Sequence, residues 1–379
     1  MQRRWDIFCA VVDNFGDIGV CWRLARRLAG GLGQTVRLWV DDLAAFQRLC
    51  ARVDPARAVQ RIDGIEIAHW TRDFPATDPA EIVVEGFGAT LPPAYLDAMA
   101  TRRPPPVWIN LEYLSAEDWV DSHHGLPSPH PRLALTKYFY FPGFTAAAGG
   151  VLIEDGLAAA RAVFQHDRAA RAAWWGGQGV KLRDDTLTVS LFCYDNAALP
   201  GLLAAWAADP CGVDCVVTEG YPRAQVERLI GRRFTPGVPL AHGALTLHAI
   251  PFLDVDAYDR LLWACDLNCV RGEDSFVRAQ LAARPLLWQA YPQDEAAHLV
   301  KAVAFRDRYA QGLAAPVAGA YAAVFDAWNA QAAGCGAGWA ALREALGPLA
   351  AHAGAWAERL QAQGDLAAKL AEFCELRLQ

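Results

Sequence analysis

The hydrophobic pattern changes period twice within the first forty residues. Trp5 to Val12 is a short apolar run, Ile18 to Gly31 repeats its apolar positions at helical spacing, and Thr35 to Val40 returns to a strand-like run. These periods predict strand, helix, strand. Further strands are expected at Ile65 to Trp70, Ile82 to Glu85 and Val107 to Leu111, with a helix from Pro92 to Ala100 between the last two. Strands alternating with helices argue for a parallel sheet covered on both faces, because each parallel pairing needs a crossover.

Glycines and charges at Trp174 to Asp185, "WWGGQGVKLRDD", interrupt the alternation and mark the expected domain boundary. The pattern then resumes. Strands are predicted at 186–194, 213–220, 245–253, 266–272 and 285–291, and helices at Val255 to Cys265 and Ser275 to Ala283. From Pro292 on it is helical, ending in a long segment from Ala353 to Leu378. The expected organisation is an α/β domain over 1–178, a second α/β domain over 184–352, and a terminal helix at about 353–379 free to pack back on the first. Two open α/β domains in tandem would place a cleft between the carboxyl ends of their sheets, where such folds bind ligands. No internal repeat is present.

Composition narrows the function. The 379 residues are 54% hydrophobic and 20% charged, without an apolar run long enough to span a bilayer. Near the start only Ile7 to Val12 is apolar, too short for a secretory leader, so a cytoplasmic location is expected. A net charge of −7 opposes general nucleic-acid binding. The ten cysteines include no CxxC pair and read as buried small hydrophobes rather than disulfides or a zinc site.

Two stretches carry candidate chemistry. The turn between the first strand and helix holds Asp13, Asn14, Phe15, Gly16 and Asp17. It has neither the G-x-G-x-x-G of a dinucleotide site nor the Lys-Ser/Thr of a P-loop. Asp13 follows a buried strand at the ligand edge, where a carboxylate suits a general base better than a phosphate contact. Asp17 reads equally as the N-cap of a helix starting at Ile18. The second stretch is "NCVRGEDSFVRAQLA", 268–282. A strand ends at Arg271 and a helix begins near Ser275, so backbone N–H groups and a guanidinium form a ready anion site. Glu273 and Asp274 would turn aside toward sugar hydroxyls; alternatively Asp274 caps the helix and Glu273 favours its dipole. Phe192, Tyr194, Phe252 and Tyr291 fall near carboxyl ends of predicted strands, as base-stacking rings or as core residues. "DVD" at 254–256 reads as an acidic helix start, and "DSHHGLPSPH" at 121–130 as a loop rather than a metal site.

Taken together, "DNFGDIGVCWRLARRLA", "LLWACDLNCVRGEDSFVRAQLA" and "YPQ" at 291–293 resemble the EarP family, the protein-arginine rhamnosyltransferases that modify translation elongation factor P. The resemblance runs nearly the whole chain. It implies the GT-B glycosyltransferase architecture, two Rossmann-like domains facing across a cleft. It implies a dTDP-β-L-rhamnose donor held by the second domain, with elongation factor P docking on the first as protein acceptor and presenting one arginine. By position it assigns Asp13, Asp17 and Glu273 as catalytic. It gives the substrate contacts as Asn14, Phe15, Gly16, Phe192, Tyr194, Phe252, Arg271, Asp274, Ser275 and Tyr291. The implied transfer is inverting and uses no metal or other cofactor, no nucleic acid and no membrane. Two alternatives stay open: a GT-B transferase with another acceptor, and a non-catalytic nucleotide-sugar-binding protein. Paired carboxylates on the acceptor side argue against the second, since a donor sensor needs only the second-domain site.

Overall fold

The structure, a computed structural model, describes residues 2–12 and 15–378. It divides into two compact units, one of residues up to Asp155 together with those from Leu360 on, the other Gly156–Arg359.

The first unit is built on eight strands: β1 Arg4–Cys9, β2 Thr35–Val40, β3 Val59–Ile62, β4 Ile65–His69, β5 Ile82–Gly86, β6 Val107–Leu111, β7 Pro127–Pro129 and β8 Thr136–Tyr140. Their order across the sheet is β3-β4-β2-β1-β5-β6-β8-β7. β3 and β7 are antiparallel edges formed by short hairpins, and the six strands between them run parallel. The chain therefore starts mid-sheet at β1, builds outward through β2 and β4, then crosses back to β5. That reversal makes the carboxyl ends of β1 and β5 the topological switch point, where open α/β sheets bind ligands. β1 is buried from Trp5 to Cys9, as a strand covered on both faces requires. Gly86 ends β5 because nothing larger fits: a Cβ there would lie 2.8 Å from Cys21 Sγ and 3.1 Å from the Phe8 carbonyl oxygen.

The first helix runs Gly16–Arg26 and continues as a wider turn, Arg27–Gly31, so it begins two residues before the predicted start at Ile18. The expected long terminal segment is two helices, Trp339–Ala362 and Leu366–Leu378, separated where Gly364 takes a φ of +91°. Just after that break, Asp365 accepts from Arg27 Nε at 3.0 Å and from the Ile153 amide at 2.9 Å, fixing the tail within the first unit.

The second unit carries β9 Leu187–Leu191, β10 Val213–Val217, β11 Leu240–His242, β12 Leu245–Ala249, β13 Leu267–Arg271 and β14 Leu286–Gln289. The order is β11-β12-β10-β9-β13-β14, parallel except at the β11 edge. Here the switch point lies between β9 and β13, the two strands whose ends carry Phe192, Tyr194 and Arg271. A buried bond from Ser190 Oγ to Asn268 Oδ1, 2.6 Å, ties these strands at the register Asn268↔Ser190. "WWGG", the start of the stretch expected to mark a domain boundary, is helical. It completes the helix Arg168–Gly177, because Trp175 packs against Val216 and Ile250 and the glycines serve as the helix end.

Candidate active site

In the first unit the helix Gly16–Arg26 enters from the switch point, with Phe15 at the N-cap position and its carbonyl accepting from the Gly19 amide at 2.9 Å. Asp17 is therefore not the cap. It sits in the first turn, fully buried, with Oδ2 accepting from the Val12 amide at 3.0 Å and Oδ1 from Tyr113 Oη at 3.1 Å. A buried carboxylate with two fixed donors keeps one orientation, which suits it to hold or receive a partner's N–H groups. Phe15 and Gly16 adjoin it, half-buried. Asp13 and Asn14 lie outside the described residues.

In the second unit Arg271 ends β13 and Gly272 turns the chain with a φ of +65°, a conformation that favours glycine. Glu273 occupies the N-cap position and Asp274 opens the helix Asp274–Leu281, one residue earlier than predicted. Arg271 is 5% exposed and its guanidinium lies among rings: Cζ is 4.6 Å from the Phe192 centroid, 4.3 Å from Tyr194 and 5.5 Å from Tyr221. Rings packed around a guanidinium restrict its orientation. Tyr291 follows β14, half exposed, with its ring 5.4 Å from Tyr194 and nearly perpendicular to it. Phe192 also meets Tyr258 at 5.7 Å, and burial pushes the Tyr258 phenol well above its ordinary range. Glu273 is buried, with Lys301 Nζ at 4.0 Å from Oε2. Ser275 and Phe252 are half-buried, Ser275 in the first turn and Phe252 three residues past β12.

Among the described residues, Phe15, Gly16 and Asp17 lie at the switch point of the first unit, and Phe192, Tyr194 and Arg271 at that of the second, with Phe252 past β12 and Tyr291 past β14. Four residues there were not expected: Tyr113 and Phe87 in the first unit, Tyr221 and Gln289 in the second. Gln289, 2% exposed, pairs in register with Arg271 and accepts from the Tyr194 amide at 2.9 Å. Its buried Nε2 has no hydrogen-bond partner among the described residues. Tyr221 had a legible signal, a glycine and a Tyr-Pro start to the helix Tyr221–Ile230 just past β10, and Gln289 stands two residues before Tyr291.

The other acidic and histidine motifs are structural. Asp254 caps the helix Val255–Ala264 by accepting from the Ala257 amide at 2.8 Å. His123 bonds the Trp119 carbonyl, His124 the Phe141 carbonyl, and His130 accepts from the Leu133 amide. Among the described residues no three His, Cys, Asp or Glu side chains come together as metal ligands. All ten cysteines are free thiols, nine of them buried.

Comparison with known proteins converges on one family. The family model described as elongation-factor P (EF-P) rhamnosyltransferase EarP matches residues 5–375. A protein-arginine rhamnosyltransferase of Pseudomonas putida is 46% identical over 98% of this chain and 99% of its own. One of Pseudomonas aeruginosa is 46% identical over 97% and 98%. A solved structure described as the structural basis for EarP-mediated arginine glycosylation of translation elongation factor EF-P superposes with a TM-score of 0.71, at 35% identity over 98% of both chains.

Proposed function

The chain belongs to the EarP family of elongation-factor P rhamnosyltransferases, and we propose that it moves L-rhamnose from dTDP-β-L-rhamnose to a guanidinium nitrogen of an arginine in translation elongation factor P. The observation that carries the donor half is Arg271, its guanidinium held among Phe192, Tyr194 and Tyr221 beside a helix N-terminus. The acceptor half belongs to the carboxylates Asp13 and Asp17.

An arginine side chain is a poor nucleophile, because it stays protonated at neutral pH and its lone pairs are delocalised. A carboxylate can hold it through charge-assisted hydrogen bonds and localise a lone pair on the reacting nitrogen. Asp13 and Asp17 share this work: one holds and orients the guanidinium while the other accepts its proton. That proton leaves as the new C–N bond forms at the anomeric carbon. The C–O bond to the diphosphate breaks on the opposite face, its electron pair leaving with dTDP, so the centre inverts. Arg271 and the amides at Asp274 and Ser275 stabilise the charge growing on the diphosphate, the part a metal ion plays in other transferases. Glu273 and Asp274 border the same turn and face the hydroxyl-rich sugar rather than the phosphates.

A translation-factor acceptor sets the reaction in the cytoplasm, which agrees with the finding that no described helix is long and apolar enough to cross a membrane. Mixing the protein with dTDP-rhamnose and elongation factor P, then weighing the factor intact and after digestion, tests the reading. A gain of one deoxyhexose on an arginine-containing peptide is expected. Donor binding without any gain would leave a nucleotide-sugar-binding protein instead.

A further inference from the structure

Beyond Gly86 the chain turns through Phe87 with a φ of +56°, a left-handed conformation that an aromatic residue rarely adopts. The Phe87 amide donates to the Leu111 carbonyl at 2.8 Å, so the turn is pinned to the end of β6. Its ring stacks on Tyr113, with centroids 4.7 Å apart and planes 24° from parallel. Tyr113 in turn donates to Asp17. The loops after β1, β5 and β6 thus converge on one buried carboxylate, and strain of this kind persists only where its surroundings enforce it.

We propose that Tyr113 is a positioning residue for the acceptor arginine, an inference that rests on the reading of this turn as the acceptor side. Its hydroxyl donates to Asp17 Oδ1 at 3.1 Å and so fixes the angle at which that carboxylate is presented. Its half-buried ring, backed by Phe87, offers a flat π surface on which a planar guanidinium lies while its edge meets Asp17. The pairing of a flat ring with a neighbouring carboxylate selects a guanidinium over the compact ammonium of lysine.

Two variants of the full-length protein separate the parts. Tyr113→Phe keeps the ring and loses only the O–H; its kcat is expected to fall about tenfold while the KM for elongation factor P stays within about twofold. Phe87→Gly suits a φ of +56°, so the fold is kept while the backing ring is lost; the acceptor KM is expected to rise about three- to tenfold with kcat little changed. In both, thermal unfolding and dTDP affinity should match the parent. Full kcat in Tyr113→Phe would overturn the hydroxyl's role, and an unchanged acceptor KM in Phe87→Gly would overturn the ring's. A loss of dTDP affinity equal to the loss of rate would mark a general defect and also overturn the proposal. Failure of the unmodified protein to rhamnosylate the factor is a separate result, striking the functional reading itself.

Discussion

The indole Nε1 of Trp288 donates to the Gly272 carbonyl oxygen at 3.1 Å. Trp288 lies on β14, the strand beside β13, and its ring stacks on Phe276 of the helix Asp274–Leu281, centroids 3.9 Å apart and planes 11° from parallel. The turn between Arg271 and the helix is therefore held from behind on both sides, by the indole at its start and by Phe276 beyond it. Ordering the turn before the donor arrives lowers the entropy cost of binding.

Replacing Trp288 with Phe should keep most of the stack and remove the hydrogen bond. The dissociation constant for dTDP should rise by about three- to tenfold, the scale of one neutral hydrogen bond. Isothermal titration calorimetry reads this directly. Parent affinity in the variant would mean that the stack alone holds the turn.

Arg271 and Asp17 should fail in opposite ways. Arg271→Lys keeps the charge but loses the guanidinium that packs among Phe192 and Tyr194, so dTDP affinity should fall at least about tenfold. Asp17→Asn keeps an oxygen for the Val12 amide but loses the negative charge that the proposed mechanism sets against a cationic acceptor. Its kcat should drop about 100-fold or more with dTDP affinity unchanged. Calorimetry with dTDP beside initial rates with elongation factor P separates the two, and a shared loss of affinity would remove Asp17 from the acceptor role.

The motifs were legible in the sequence because each sits where a period changes. A buried run that stops at a polar turn before a helix can be read locally, and β2 and β6 keep their predicted bounds, Thr35–Val40 and Val107–Leu111. β3, β7 and β11 were not legible. They are edge strands of three or four residues with much of their surface exposed, too short to show a period. The Asp17 cap was misread because Gly16, a weak helix former, begins the helix, and the Asp17 side chain is drawn to Tyr113, 96 residues away. Tyr113 and Phe87 were invisible for the same reason. Their role depends on three loops that meet only after the sheet is ordered.

The helices Val255–Ala264 and Asp274–Leu281 are locked by a buried ion pair, Arg278 to Asp259, at 2.8 and 2.6 Å with both side chains nearly inaccessible. Arg278→Met should destabilise the protein by about 3–5 kcal/mol, because it strands a buried carboxylate. The double variant Arg278→Met, Asp259→Leu should recover a large part of that loss, since the buried carboxylate is then removed as well. Urea unfolding of the three proteins checks this; equal losses in single and double variants would mean that the pair's worth lies in packing.

Acid stability should carry the signature of Asp214, fully buried at the start of β10. Burial alone would push its carboxyl up. His248 Nε2 at 2.8 Å, the Thr186 hydroxyl, and the Arg183 amide and guanidinium outweigh burial and hold it below the ordinary range. The unfolded chain therefore takes up this proton first as pH falls. The stabilisation is complete above the ordinary aspartate value of about 4 and is lost as pH falls through the lower folded value, with a slope of no more than about 1.4 kcal/mol per pH unit. Glu85 in the first unit has the opposite sign: burial raises its carboxyl despite Lys137 at 2.8 Å, so its protonation favours the folded state. A single acid titration would mix the two. The difference in urea stability between the parent and Asp214→Asn isolates the first, and it should shrink as pH is lowered from about 5 toward 2. A difference that stays constant over that range would show that the Asp214 charge does not contribute.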